Sequence, residues 1–166
     1  MEMTTPERRE LDQDRHERQL DDAWRSCGPA AMRFATALVG PQDAHDVTTN
    51  AFLRVTRQDH WTDIEHLDRY LLRAVSNEAQ NLYRDRRRRW QRDLQALAAD
   101  PQTDLAADLD VVRAIGALTV QQRCVVFLAY WHDMTEAEIA QTLDLARSTI
   151  HRNLVRARIQ LRKALK

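Results

Sequence analysis

From Trp24 onward the apolar positions of the chain recur at helical spacing. Trp24, Cys27, Ala31, Phe34 and Leu38 step by three or four residues, one stripe of a helix. Gly28-Pro29 interrupts that stripe early and predicts a kink or a restart, and Gly40-Pro41 closes it. Asp43 is placed to cap the next helix, whose buried face reads Val47, Ala51, Phe52 and Val55. Gln58–Asp63 is the next break. The longest helical segment follows, with Leu67, Leu71, Val75, Ala79 and Leu82 as its buried stripe. Ahead of all this, residues 1–22 show no apolar periodicity beyond Leu11 and Leu20. They read as a poorly packed lead, a frayed helix or a disordered arm.

After residue 110 a second set of stripes begins. Val112, Ile115 and Leu118 fall on one helix, and Val120, Cys124, Phe127, Leu128 and Trp131 on the next. Thr135 with Glu138 three residues on is a capping-box signature, opening a short helix with Ile139, Ala140 and Leu143 on one face. Asp144-Leu145-Ala146 is too short for anything but a tight turn. Ile150, Leu154, Ala157, Leu161 and Leu165 then mark a longer helix. Two short-linked helices, with Ala140 small enough for close approach, give the helix-turn-helix geometry. The preceding apolar residues would bury its back.

Composition narrows the class. Three glycines and four prolines in 166 residues, none after Gly116, leave little turn chemistry for hairpins. The expected fold is therefore all-α: two small helical domains joined by an acidic linker, the C-terminal one a helix-turn-helix. The longest apolar run, Cys124–Trp131, is eight residues, far short of the roughly 18 that suggest a membrane span. The N-terminus is charged and lacks the apolar core of an export signal. Cys27 and Cys124 lie far apart with no C-x-x-C, so two buried thiols in a reducing compartment are expected rather than a disulfide or a zinc site.

Net charge is zero, with 25 basic and 25 acidic side chains, but the two signs are segregated. Residues 1–22 carry 4 basic and 8 acidic groups, residues 23–89 carry 11 and 8, residues 90–113 carry 2 and 5, and residues 114–166 carry 8 and 4. Two basic modules are thus separated by an acidic connector and preceded by an acidic lead. The expected boundaries are 1–22 for the lead, 23–90 for the first domain, 91–110 for the linker and 111–166 for the second domain. Nucleic-acid affinity follows local phosphate neutralisation, not net charge.

Candidate chemistry lies on two helices. The last carries Arg147, Arg152, Arg156, Arg158, Arg162, Lys163 and Lys166 with no acid from Leu145 onward, a cationic rod about 30 Å long. Such a helix fits the DNA major groove, with its early residues at base edges and its later arginines near phosphates. Arg147, Ser148, His151 and Arg152 occupy the early turns, and Arg156 lies further along. On the long helix of the first module, Arg69, Arg73, Ser76, Gln80 and Arg84 lie opposite the buried stripe, flanked by Tyr70, Asn77, Asn81 and Tyr83, and the run ends in Arg86-Arg87-Arg88-Arg89-Trp90. Arginines, amides and aromatics on one face can grip phosphates, hydrogen-bond bases and stack on unpaired ones. An enzyme is the contrasting class: Asp43, His45 and Asp46 could assemble a metal site and His132-Asp133 an acid–base pair. Their spacing matches no hydrolytic constellation.

Three further stretches complete the picture. Gly40-Pro41-Gln42-Asp43-Ala44-His45-Asp46-Val47 is followed by Ala51-Phe52-Leu53-Arg54-Val55. Tyr70-Leu71-Leu72-Arg73-Ala74-Val75-Ser76-Asn77 runs into the arginine cluster. Ala117-Leu118-Thr119-Val120-Gln121-Gln122-Arg123 precedes the Glu138–Arg158 block. In this order, and with a connector of this size, they resemble the extracytoplasmic-function class of bacterial RNA polymerase sigma factors, from about Trp24 onward. The resemblance implies a cytoplasmic, non-catalytic promoter-specificity subunit without cofactor or membrane insertion. Its partners would be core RNA polymerase, through the β′ and β subunits, promoter DNA and an anti-sigma factor. Asp43, Asp46, Val47, Phe52 and Arg54 would contact polymerase. Trp61, Tyr70, Arg73, Ser76, Asn77, Gln80 and Arg84 would read and melt the −10 element, and Arg147, Ser148, Thr149, His151, Arg152 and Arg156 the −35 element. Thr48-Thr49-Asn50, Asn81 and Asp144 depart from the common pattern, Asp144 standing where the turn usually has glycine. A stand-alone dimeric helix-turn-helix regulator is the other reading; it would need a dimer surface and a two-fold operator.

Overall fold

Gly40 decides where the first helix stops. In the computed structural model, which describes residues 5–94 and 114–164 (side chains from 13–86 and 114–164), helix α1 spans Thr5–Val39 and α2 spans Pro41–Thr56. Between them Gly40 takes φ 85, ψ 166, a conformation open to glycine and strained for other residues. Its N–H still closes the last turn of α1 onto the Thr36 carbonyl at 2.9 Å. Pro41 starts α2 at a position that needs no backbone donor. Asp43 does not cap this helix. It sits inside the first turn, and its carboxylate takes Arg86 of the third helix at 2.6 Å.

Helix α1 runs unbroken through Gly28-Pro29, where a kink or restart was expected. The buried stripe continues on both sides of the proline, with Cys27, Ala31, Phe34, Ala35 and Leu38 all in the core. That packing offsets the one intrahelical bond proline removes. Gly28 serves a neighbour: a Cβ there would lie 2.8 Å from the Trp24 ring, which folds against the helix and meets Phe52 edge-on at 5.1 Å. The lead is helical from Thr5, its residues 13–19 exposed. At 35 residues α1 therefore exceeds the 28 residues of α3, Leu67–Leu94. A 3-10 turn at Trp61–Asp63 interrupts the chain between α2 and α3, and Trp61 is buried there with its ring edge-on to His16.

The C-terminal part begins with helical residues at 114–116, then α4 (Val120–Trp131), α5 (Glu136–Leu143) and α6 (Arg147–Ala164). Full capping boxes start two of them, Thr119 with Gln122 and Thr135 with Glu138. Asp144 ends α5 in the left-handed conformation at φ 54, with Leu145 N–H returning to the Ala140 carbonyl at 3.0 Å. That is the tight turn of a helix-turn-helix. Cys124, Val125, Leu128, Ile139, Ile150, Leu154 and Ala157 fill the space behind it. Trp131 does not join them: it is 67% exposed, stacked on the half-buried Phe127 at 5.6 Å.

Among the described residues every regular element is helical. Most of the expected linker, 91–110, and Val112 lie outside them. The two helical units share one apolar core. Helix α1 packs on α4, with Phe34 against Phe127 at 5.3 Å, and α3 packs on both α4 and α5.

Candidate nucleic-acid interface

Helix α6 presents its basic side to solvent because its apolar side is used up. Ile150, Leu154 and Ala157 are buried under α4 and α5. This fixes the rotation of the helix and turns Arg147, Ser148, His151, Arg152 and Arg156 outward, all of them exposed, with Thr149 half-buried at the edge. Ala146 precedes the helix and accepts the N–H groups of Thr149 and Ile150 at its carbonyl. It offers no side-chain cap, so the positive end of the helix dipole remains open to an anion. Among the described residues the acid paired with this face is Glu136, which meets His151 Nδ1 at 3.0 Å and Arg147 at 3.9 Å. Arg158 sits on the flank, donating to the Tyr130 hydroxyl at 2.9 Å with its guanidinium over that ring.

The candidate face of α3 is divided. Tyr70, Asn77 and Arg84, seven residues apart, form an exposed row. The Tyr70 hydroxyl donates to Gln58 Oε1 at 3.1 Å, and Arg84 donates to Asn81 Oδ1. Arg73, Ser76 and Gln80 lie around the helix toward the C-terminal unit and are half-buried or buried. Arg73 donates to Asp144 Oδ2 at 2.6 Å, and Arg69 lies 3.6 Å from Glu138. Ser76 Oγ is 3.2 Å from Cys124 Sγ and accepts weakly from Gln80. Burial pushes the Cys124 thiol up to about 12, against the opposing effects of the Ser76 hydrogen bond and the Arg123 charge. Glu138 is held below the usual carboxylate range, first by the backbone N–H of Thr135, then by its hydroxyl, with Arg69 adding to both. Trp61, grouped with this face by sequence, is in the core instead.

On α2, Asp43 is half-buried and pairs with Arg86 of α3 at 2.6 Å, and Arg54, itself exposed, pairs with Glu78 at 3.2 Å. Val47 is buried, and Phe52 is half-buried beside Trp24. Asp46 is exposed, and Asn50, Leu53 and Arg57 continue its row along the solvent side. Those three were not among the polymerase-contact residues expected from the sequence, though Asn50 was noted as a departure from the common pattern. Leu53, 41% exposed, stands one place off the apolar stripe, and that offset was the available signal. The alternative metal cluster does not assemble: among the described residues no group of three or more His, Cys, Asp or Glu is placed to hold an ion. His132 lies against Phe127.

Residues 108–161 match the family described as Sigma-70, region 4. The fold resembles that of the sigma factor RpoE from Bartonella quintana, solved in complex with the anti-sigma factor NepR. The TM-score is 0.68 at 24% identity, over 89% of this chain and 96% of that one. The RNA polymerase sigma-E factor of Streptomyces coelicolor is 32% identical over 146 residues, 82% of this chain and 80% of the relative. That of Streptomyces avermitilis is 31% identical over 144 residues, 82% and 79% respectively. A helix-turn-helix that matches region 4, on a chain aligned with sigma-E factors over most of its length, places this protein in the extracytoplasmic-function family of RNA polymerase sigma factors.

Proposed function

We propose that the chain binds core RNA polymerase through the solvent row of α2, reads the −35 element with α6 and engages the −10 strand with α3. The observation that carries this is the pairing of two separate basic, polar helix faces in one chain. A stand-alone dimeric regulator has no use for the second. Each face alone is small, so joining them on polymerase raises the effective concentration of the second contact once the first is made. Residues 23–90 and 111–166 are the two units, with 91–110 between them. Arg147, Ser148, His151 and Arg152 lie where base edges are read, Thr149 beside them, and Arg156 where the helix meets the backbone. Tyr70, Asn77 and Arg84 receive the unpaired strand first, and Arg73, Ser76 and Gln80 extend that surface. The work is binding and strand separation in the cytoplasm, without catalysis. Among the described residues no helix is long and apolar enough to cross a membrane. An anti-sigma factor, the partner seen with the Bartonella protein, is proposed as the regulator.

The test is promoter-directed initiation with purified core polymerase, with Asp46→Arg as the surface variant. Phe52→Ala also removes packing against Trp24, so Asp46→Arg is the cleaner probe of the polymerase contact. The expected result is a folded Asp46→Arg protein that competes poorly for core polymerase while retaining its DNA contacts. A chain that binds a −35 duplex tightly and specifically at physiological salt, as a dimer and without polymerase, would refute the sigma-factor role.

A further inference from the structure

Glu136 stands where an acid is costly. From Leu145 onward the chain has no acidic residue, and the outward side of α6 is basic and polar. Glu136, the first residue of α5, nevertheless reaches across to it. Its Oε1 meets His151 Nδ1 at 3.0 Å, and its Oε2 lies 3.9 Å from Arg147 Nε. Beside a phosphate backbone a carboxylate is repelled, which lowers affinity for every sequence alike. The start of α5 does not account for this contact. Glu138 completes the capping box with Thr135, and a negative charge that favours the helix start could equally point to water. The Glu136 side chain is 30% exposed and that of His151 65%. The carboxylate is thus the anchored partner, and the ring projects to solvent.

We propose that Glu136 is a positioning residue for base reading: it holds the His151 proton on Nδ1, so that Nε2 faces the −35 major groove as an acceptor for an exocyclic amino group, adenine N6 or cytosine N4. The inference rests on the assignment of α6 to the −35 element made above. An ionised carboxylate only accepts, so the ring nitrogen facing it carries the hydrogen. In a neutral imidazole the other nitrogen then keeps its lone pair. Among the described residues Nε2 has no partner within the chain. Arg147, Arg152 and Arg156 can only donate, which suits guanine and phosphate. An accepting Nε2 gives the same face a contact with amino bases that those arginines cannot make. With the proton on Nε2 instead, the ring would donate there and favour the acceptors of guanine or thymine. One carboxylate outside the recognition helix therefore sets which bases a residue on it reads.

The experiment uses the full chain and its Glu136→Ala, His151→Ala and double variants, with thermal melting to confirm that each is folded. The first measurement needs no DNA. Nitrogen-15 NMR of the imidazole at about pH 8, where free imidazole is neutral, reports which nitrogen carries the proton. The expected result is Nδ1 in the parent and a shift toward Nε2 in Glu136→Ala. The second measurement is holoenzyme binding to a panel of −35 point substitutions. At one position the parent should prefer an amino base over a keto base on the contacted strand by about fivefold, the worth of a single hydrogen bond. Glu136→Ala and His151→Ala should each lose that preference, and the double variant should lose no more than either. A parent proton on Nε2 overturns the proposal. So does Glu136→Ala that changes affinity for all sequences equally with the preference intact, the outcome of simple charge repulsion. An effect of Glu136→Ala on base preference that persists when His151 is already alanine also overturns it, since the route would then run through Arg147. A parent with the proton on Nδ1 but no −35 preference at any position refutes the assignment of α6 itself, and the base-reading role with it.

Discussion

The DNA-type faces of α6 and α3 are built from the same kinds of residue, yet the α6 face is open while half of the α3 face is covered. On α6 the Arg147 and His151 side chains are 73% and 65% exposed. On α3 the Arg69 and Arg73 side chains are 35% and 39% exposed and ion-paired to the other unit. The cause lies in what each helix packs against. Helix α6 buries one stripe under α4 and α5 and leaves the rest free. Helix α3 buries its stripe against α1 and α2, then offers a second side to α4 and α5. Chemistry suited to DNA is therefore not the same as surface available to DNA.

The largest expected effect breaks the α6 side of this contrast. Leu154 is 3% exposed and sets the rotation of the recognition helix. Leu154→Ala should cost about 2–5 kcal/mol in chemical denaturation and abolish −35-dependent initiation. Retained stability would mean that other contacts orient the helix.

Next in size are the two arginines on its exposed face. Arg152→Ala should flatten preference at one or two −35 positions, since a bidentate arginine–guanine contact contributes about 1–3 kcal/mol of discrimination. Arg156→Ala should weaken all promoters alike and reduce the salt slope by about one unit. A −35 point-substitution panel with holoenzyme at several salt concentrations distinguishes them. Equal weakening of every promoter by Arg152→Ala would place the helix in another rotation.

A smaller effect sharpens the α3 side. Asn77 is exposed, and Gln80 is half-buried toward the C-terminal unit. In the free chain Asn77→Ala should weaken oligonucleotide binding by about 1 kcal/mol, the worth of one hydrogen bond, and Gln80→Ala should change it little. Equal costs for both would erase the division of the face.

The smallest effect concerns acid. Because the folded-state pKa of Glu138 lies below its ordinary 4.5, its contribution is fully present above that value and lost as pH falls through the lowered one. Denaturation midpoints should show no slope from this group between roughly pH 6 and 8. Glu138→Gln should lower the midpoint slightly at neutral pH and flatten part of the acid limb.

Much of the local structure was legible in the chain. The Gly40-Pro41 break, the Thr135–Glu138 capping box, the Asp144 turn and the buried stripes of α3 and α6 follow from spacing and from backbone limits on single residues. Local signals also misled. Gly28-Pro29 suggested a break that tertiary packing on both sides overrides. Asp43 suggested a cap but went to Arg86, because a carboxylate within reach of a guanidinium from another helix has a stronger partner. Trp61, which the family resemblance implied as a −10 contact, is buried, while Trp131 suggested core and is exposed.

The sequence by itself determined the helices, their apolar stripes, the helix-turn-helix and the basic character of α3 and α6, because each depends on residues within a few turns of one another. Only the tertiary structure decided which half of α3 is covered, why Ser76 and Leu72 are buried, and what Asp144 touches. Those outcomes depend on partners 48 and 71 residues away for Ser76 and Asp144. Periodicity along a helix records that a side is polar, but it carries no record of a distant helix that brings matching charges to that side.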